Sequence, residues 1–426
     1  MAVDVIIGLQ RGDEGKGRFV DLVANNYQVI ARGNGGANAG HTIVPDGKAP
    51  IALHQIPSGI VYPDKLNVIG GGVYLDPQKL LTELDQLKNI GIAISPRNLK
   101  ISTNAHLVFP HHIVLDQMRE AGQSAQGSTK SGIAYVASDK YLREGMRVES
   151  IQDQAALISH AYEGLRAVNN YLKKTDTELQ DQANEWCQAL TLLNPFVEDT
   201  VQLIAGRIRT GADILVEGAQ AFGLDIDHGM YPYVTSSSTT VTGLLGGLGI
   251  APKYLHKVTG VAKLIKSHVG GGPFMTEILD ENLSQSIRGK AGAVDSEYGA
   301  TTKRPRRIGY PDLPELRSAI SVNGVDELVL SKFDHVSRFG SSFKVATSYD
   351  LDGTEFLMAP SSALALEICQ PIYKEFDSWQ MTQEVQNAAS LPLQAKQFIA
   401  FLEEELELKV SKIGVGPERN QVIDLA

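Results

Sequence analysis

The chain of 426 residues is 43% hydrophobic and 21% charged, which allows one large core or two to three domains. A formal net charge of −10 and a pI near 5.5 argue against a nucleic-acid binder, which is usually basic. Two distant cysteines, the lack of a signal-peptide pattern and the lack of a run of about 18 apolar residues together predict a cytoplasmic protein without a membrane span.

Apolar strand-like segments alternate with helical patterns along the whole chain. Strands are predicted at 3–9, 27–31, 66–70, 99–102, 214–217, 258–265, 327–331 and 344–348, and helices at 18–23, 76–88, 111–120, 153–173, 197–208, 314–320 and 393–405. This alternation predicts an α/β protein with a large, mostly parallel central sheet. We expect a single domain over residues 1–426, with a polar helical insertion around 149–210.

A glycine-rich turn separates the first predicted strand from the first helix. It reads Arg11-Gly12-Asp13-Glu14-Gly15-Lys16-Gly17. The backbone N–H groups of such a turn bind a phosphate at the start of a helix. The turn has neither the Walker A nor the dinucleotide-binding spacing. Its carboxylate, Asp13, would be repelled by a phosphate, which indicates Mg²⁺ binding, proton transfer or both.

Two further polar segments follow predicted strands or flank the turn. His41 stands in the glycine-flanked loop 38–42, which favours a function over a purely structural histidine. Gln220 follows the strand 214–217, and an unbroken run of hydroxyl residues occupies 235–240. Because ligands bind at the carboxyl ends of parallel strands, these groups are candidates for phosphate, base or ribose contacts.

A cationic loop and a Ser-Lys-x-Asp pattern complete the candidate groups. The loop 299–307 contains four cations, which would suit a nucleic acid, a solvated surface or a dicarboxylate that arginine binds bidentately. Without interleaved aromatic residues, the dicarboxylate is favoured. In the pattern after strand 327–331, Asp334 can accept from N1–H and the 2-amino group of guanine, while Lys332 lies along the ring.

These segments, taken together and in order, resemble the adenylosuccinate synthetase family. The matching motifs span nearly the whole chain and lie at 12–17, 38–42, 56–60, 217–220, 225–240, 269–274, 299–302 and 416–417. The resemblance implies an α/β fold with a P-loop-NTPase-like phosphate loop. It also implies a cytoplasmic homodimer that makes adenylosuccinate from IMP, L-aspartate and GTP with Mg²⁺, and that binds no nucleic acid.

The resemblance also implies a role for each matching residue. Asp13 takes the N1 proton of the purine and, with the Gly40 carbonyl, lies beside Mg²⁺, while His41 acts on the leaving phosphate. The residues that match the GTP site are Gly12, Gly15, Lys16, Gly17, Gly40, Thr42, Lys332, Asp334, Gly414 and Gly416. Those that match the IMP site are Asn38, Thr129, Arg143, Gln220, Thr235 and Arg304, with Arg143 reaching across the dimer interface. Those that match the aspartate site are Thr301, Thr302, Arg304 and Arg306.

Several positions depart from the family pattern and leave alternatives open. Gly33, Asn34 and Ala37 replace an aromatic residue, a glutamine and a histidine, and Pro305 interrupts the arginine run. Phage-associated relatives use the same chemistry on GMP or dGMP, but they often replace the catalytic aspartate that Asp13 retains, which favours IMP. A GTP-binding switch is the alternative from another class, although it leaves the cationic and hydroxyl-rich loops without a role.

Overall fold

The computed structural model describes residues 2–45, 49–123, 125–293, 295–299, 304–382 and 385–425. Thr301 and Thr302, which the sequence assigns to the aspartate site, lie outside these ranges. Within them the strands are β1 Val3–Gly8, β2 Val29–Arg32, β3 His41–Ile43, β4 Ile51–Leu53, β5 Leu66–Ile69, β6 Tyr74–Leu75, β7 Leu99–Ser102, β8 His106–Leu107, β9 Val197–Glu198, β10 Ile214–Glu217, β11 Leu255–Lys263, β12 Lys266–His268, β13 Arg307–Gly309, β14 Glu327–Ser331, β15 Ser342–Leu351, β16 Thr354–Phe356, β17 Gln370–Asp377, β18 Val410–Gly414 and β19 Val422–Asp424.

The helices lie mainly between the strands of the central sheet. They are α1 Lys16–Val23, α2 Pro77–Asn89, α3 Pro110–Ala121, α4 Ile133–Leu142, α5 Gln154–Ala167, α6 Asn169–Leu172, α7 Asp176–Leu192, α8 Thr200–Arg209, α9 Val241–Leu248, α10 Glu281–Arg288, α11 Leu313–Asn323, α12 Ala363–Ile368 and α13 Leu393–Leu406. The predicted helices correspond, to within a few residues, to α1, α2, α3, α5 with α6, α8, α11 and α13. The predicted strands correspond to β1, β2, β5, β7, β10, β11, β14 and β15.

A large sheet forms the centre of the molecule. In the described ranges it has ten strands in the order β19-β18-β14-β11-β1-β10-β2-β5-β7-β9. Every neighbouring pair is parallel except β18 and β19. The predicted α/β fold with a mostly parallel sheet is therefore confirmed.

The strand β1 lies in the middle of this sheet, between β10 and β11. Its Val5 and Ile7 are buried in the core, where each contributes about 1.5–3 kcal/mol relative to exposure. Because parallel strands present their carboxyl ends at one edge, the turn after β1 and the loops after β10 and β14 lie at the same edge.

Two predicted elements differ from the structure. The strand predicted at 344–348 does not join the central sheet, because β15 pairs with β16 and β17 in a separate antiparallel sheet. The helix predicted from residue 197 begins at Thr200, because the Asp199 side chain accepts from the N–H groups of Val201 and Gln202. Val197–Glu198 instead pair with β7 at the edge of the central sheet, so the segment 149–210 is not helical throughout.

Candidate active site

The glycine-rich turn folds as a left-handed loop that leads into α1. Gly12, Asp13 and Gly15 all have positive φ, at 93°, 59° and 84°. Glu14 lies buried beneath the loop, where it accepts from the N–H of Gly12 at 2.7 Å and from Lys16 Nζ at 2.6 Å. Glu14 therefore orders the loop around a phosphate site, a role that its sequence position alone did not reveal.

His41 lies directly against this loop. A Cβ on Gly17 would come within 2.7 Å of His41 Cβ, so a glycine is required for this close approach. Nδ1 of His41 hydrogen-bonds to Glu217, whose carboxylate also accepts from the N–H and Oγ of Ser58 at 2.7 and 2.8 Å. Glu217, at the end of β10, thus fixes the imidazole ring and leaves Nε2 for a ligand.

Burial and opposite charge act together on this buried pair. Burial and the nearby Arg32 lower the pKa of His41 to about 4, while Glu217 opposes that change. Burial favours protonation of Glu217, but His41 and Arg32 outweigh it and lower the Glu217 pKa to about 2. The imidazole is therefore neutral near pH 7, and an anionic phosphate beside it would favour the imidazolium form.

Two cavities open on either side of the loop. Their volumes are about 410 Å³ and 430 Å³, and we call them the first and second cavity. Both are lined by Asp13, Lys16, Gly40 and His41. The residues predicted to carry the chemistry therefore lie where the two cavities meet, which is the geometry required to transfer a group from one ligand to another.

The first cavity contains most of the residues predicted to bind GTP. Besides the shared four, it is lined by Gly15, Gly17, Thr42, Lys332, Asp334 and Gly416. Burial raises the pKa of Asp334, and its Oδ1 is buried without a hydrogen-bond partner among the described residues. Gly414 lies in β18, where a Cβ would come within 3.0 Å of Arg18, and does not belong to the cavity's described lining.

The second cavity contains most of the residues predicted to bind the purine monophosphate. Its lining includes Asn38, Thr129, Gln220, Thr235 and Val269. Gly12, which was predicted for the GTP site, also lines this cavity and is absent from the described lining of the first. Gln220 Nε2 donates to Asn38 at 3.3 Å, and Asn38 Nδ2 contacts Thr235 at 3.4 Å. Oε1 of Gln220 is buried and, within the described ranges, has no partner, so it is available to a ligand. Arg304 closes one side by donating to the carbonyl of Gly127 at 2.7 Å.

Arg306 connects the loop to a buried carboxylate that sequence reasoning missed. Its guanidinium contacts Asp13 and Glu297. Glu297 is fully buried, and it also pairs with Lys263 and Lys332. Burial opposes ionisation, but these cations hold the pKa of Glu297 well below its ordinary value. The one sequence feature that could have indicated Glu297 is its position shortly before the cationic loop 299–307.

Arg143 lies apart from these groups within its own chain. It ends α4 in the left-handed conformation with φ 65° and is exposed. It is absent from the described lining of both cavities, so the structure of one chain does not bring it to the predicted IMP site.

The fold and the cleft define a nucleotide-dependent α/β enzyme with a phosphate loop between two substrate cavities. The model of the family "Adenylosuccinate synthetase" matches residues 5–423. The chain is 42% identical over 430 residues to the adenylosuccinate synthetase of Caldicellulosiruptor bescii and 40% identical over 431 residues to that of Clostridium perfringens, covering 99% of both chains in each pair. The chain belongs to the adenylosuccinate synthetase family.

Comparison with solved structures agrees with this assignment. The fully ligated adenylosuccinate synthetase of Plasmodium falciparum is 32% identical and superposes with a TM-score of 0.88 over 100% of both chains. A cyanophage S-2L succinoaminodeoxyadenylate synthetase bound to dGMP and dATP is 20% identical with a TM-score of 0.62, covering 99% of this chain and 95% of the phage chain. At that identity the phage enzyme shows a shared fold alone.

The predicted activity is thereby confirmed. The enzyme is a ligase that forms a C–N bond from IMP, L-aspartate and GTP, with Mg²⁺ as cofactor and GTP as co-substrate. The alternative of a GTP-binding switch is not supported. Within the described ranges, no helix is both long enough and apolar enough to span a membrane.

Proposed function

We propose that GTP occupies the first cavity, that IMP occupies the second, and that the phosphoryl group passes between them beside Asp13 and His41. The observation that carries this assignment is that both cavities share these two residues. Asp13 takes the N1 proton of IMP, and the purine O6 then attacks the γ-phosphate of GTP, whose bond to the β–γ bridging oxygen breaks so that GDP leaves. The amine of L-aspartate displaces the resulting 6-phosphoryl group, which leaves as phosphate and yields adenylosuccinate.

The charged groups around the loop suit this transfer. Lys16 and the loop N–H groups hold phosphate, since they lie at the start of α1. Nε2 of His41 stabilises the leaving β-phosphate side, and Glu217 balances the charge of the imidazolium that an anionic neighbour favours. The base of GTP is selected by Asp334, whose buried oxygen has no other partner in the described structure.

Asp13 and the carbonyl of Gly40 form a donor set that fits Mg²⁺. Both residues line both cavities, and carboxylate and carbonyl oxygens are the hard ligands that this ion prefers. When bound, the ion neutralises charge on the phosphates. Arg306 Nη2 lies 2.7 Å from Asp13 Oδ2, so its charge also acts on this carboxylate.

The arginines after residue 303 suit the carboxylates of L-aspartate. Arg306 lines the first cavity and pairs with Asp13, which lines both cavities, and Arg304 lies beside the loop that lines the second cavity. We assign the α- and β-carboxylates to this pair of arginines, together with Thr301 and Thr302. Val269, in the lining of the second cavity, contributes to the ribose and aspartate side.

We further propose that the enzyme is a cytoplasmic homodimer in which Arg143 binds the IMP phosphate of the partner subunit. The support is that Arg143 is exposed and remote from its own cleft, while the closed two-fold dimer is the commonest assembly. The experiment mixes inactive Asp13→Ala subunits with Arg143→Leu subunits. If Arg143 crosses the interface, heterodimers contain one site with both residues intact and regain activity. No recovered activity, after subunit exchange is demonstrated, would contradict the crossing.

A further inference from the structure

Three histidines and an aspartate meet where α3, α4 and α5 pack together. His111 and His112 lie in the first turn of α3, Asp139 in α4 and His160 in α5. One ligand atom from each of His111, Asp139 and His160 lies within 4.8 Å of the other two. None of the four residues belongs to the described lining of the first or second cavity, so the cleft chemistry does not explain the cluster.

The two candidate histidine ligands have nitrogens that nothing else satisfies. Nδ1 of His111 and Nε2 of His160 are buried and have no hydrogen-bond partner in the part of the chain that the structure describes. His111 is only 8% exposed. A core histidine normally pairs both ring nitrogens, so a pair of open nitrogens beside a carboxylate points to a ligand that accepts their lone pairs.

The fourth residue, His112, orients the carboxylate. Its Nδ1 accepts from the N–H of Phe109 at 3.0 Å, and its Nε2 donates to Asp139 Oδ2 at 2.9 Å. The tautomer of His112 is therefore fixed, and one oxygen of Asp139 remains for another partner. Residues that coordinate a metal are commonly oriented by a hydrogen bond to a second histidine or carboxylate, as Asp139 is here by His112.

The local packing also makes room for the cluster. A Cβ on Gly164 of α5 would lie 2.1 Å from His111 Nδ1, so the ring of His111 packs where a side chain would otherwise stand. Asp139 retains 25% side-chain exposure, which gives an ion a path from solvent.

We infer that His111, Asp139 and His160 form a site for a divalent transition metal, with Zn²⁺ as the ion that best suits the ligands. Two imidazole nitrogens and one carboxylate oxygen match zinc sites that keep a fourth position open for water. Ligands around tetrahedral zinc are separated by about 3.4 Å, so small side-chain rotations close the cluster around the ion. Mg²⁺ is a poor match because it prefers oxygen ligands in octahedral geometry.

An ion at this site would join three helices close to the turn that carries Arg143. The carbonyl of Asp139 accepts from the N–H groups of Glu144 and Gly145, which follow the end of α4. Binding would therefore tie α4 and the turn after it to α3 and α5. Because only the folded chain presents the three ligands together, binding should also raise the melting temperature.

The experiment uses the full chain after dialysis against a chelator. ZnCl₂ is titrated calorimetrically in excess MgCl₂, and CoCl₂ is then added as a spectroscopic probe of tetrahedral coordination. The variants are His160→Gln and Asp139→Asn, which remove a ligand at partly exposed positions. His256→Gln is the matched control, since that histidine is 65% exposed and pairs with Asp4 outside the cluster. Asp13→Ala separates this site from the catalytic metal site.

We expect one Zn²⁺ per chain in the parent protein, in His256→Gln and in Asp13→Ala. The same three proteins should show the visible absorption of tetrahedral Co²⁺ and a higher melting temperature with Zn²⁺. Affinity should fall at least about tenfold in both His160→Gln and Asp139→Asn. The inference is overturned if the parent binds no Zn²⁺, if both ligand variants bind it as tightly as the parent, or if binding is lost in Asp13→Ala.

Discussion

The guanidinium of Arg306 lies between two carboxylates, with Nη2 2.7 Å from Asp13 Oδ2 and Nη1 2.5 Å from Glu297 Oε2. Glu297 also pairs with Lys332, which lines the first cavity. One buried glutamate therefore pairs with two cations that line the first cavity. Arg306 also balances the charge of Asp13.

Arg306→Gln should raise the KM for L-aspartate about tenfold to hundredfold, because it removes a charge-assisted contact worth roughly 1.5–3 kcal/mol. Steady-state kinetics with L-aspartate as the varied substrate measures this effect. Arg307→Gln is the matched control, since Arg307 pairs with Glu277 and is absent from the described cavity linings. Equal KM values in the two variants would exclude Arg306 from the aspartate site.

Asp13→Asn should lower kcat about 10²–10⁴-fold, because it removes a positioned base and a metal contact while keeping the shape of the side chain. GDP release at saturating substrates measures the loss, and thermal unfolding tests whether the fold is retained. Asp181→Asn, on the exposed face of α7, is the control and should leave kcat unchanged. A near-normal rate in Asp13→Asn would refute the proposed proton transfer.

Asp334→Asn should weaken the use of GTP and favour xanthosine triphosphate. The amide of the variant places an N–H donor where the Asp334 carboxylate has an acceptor. Guanine presents its own N–H donors there, whereas xanthine presents an oxygen that can accept from the amide. The parent protein should in turn prefer GTP to ATP. The measurement is kcat/KM for GTP, ATP and xanthosine triphosphate in the parent and in the variant. A parent enzyme that uses ATP as well as GTP would contradict the assignment of Asp334 to the guanine base.

Glu217→Gln should lower the free energy of unfolding near pH 7 by about 1.5–3 kcal/mol, because it removes the charged acceptor of the hydrogen bonds from His41 and Ser58. The folded pKa of Glu217 is lowered from 4.5 to about 2, so its stabilisation is present above pH 4.5 and is lost as the pH falls towards 2. The parent should therefore lose stability through this window by chemical denaturation, and the variant should lose less. Parallel curves for the two proteins would contradict this coupling.

Periodicity and motif order predicted seven of the ten described strands of the central sheet and the loop at the end of β1, but not β9, β18 or β19. They succeeded there because buried parallel strands are continuous apolar runs and because Gly12 and Gly15 mark positive φ. They could not place β15, since the same apolar pattern fits a strand in the central sheet or in a small antiparallel one.

The candidate site was predicted less completely than the fold. Asn38, Gln220 and Thr235 lie together as expected. Glu14 and Glu217, in contrast, are buried and act by hydrogen-bonding to Lys16 and His41 rather than by contacting a ligand. Such buried carboxylates have no signature in the sequence, because their role depends on contacts between residues far apart in the chain. The zinc-site residues share this property, as they come from three separate helices.

The enzyme couples GTP cleavage to the joining of L-aspartate and IMP. The most direct test measures GDP release with IMP, GMP or dGMP in turn, with and without L-aspartate, and identifies the nucleotide product by mass. We expect release and adenylosuccinate formation only when L-aspartate and IMP are both present, with little turnover on GMP or dGMP. Faster turnover on dGMP than on IMP, or comparable GDP release with both co-substrates omitted, would contradict the account.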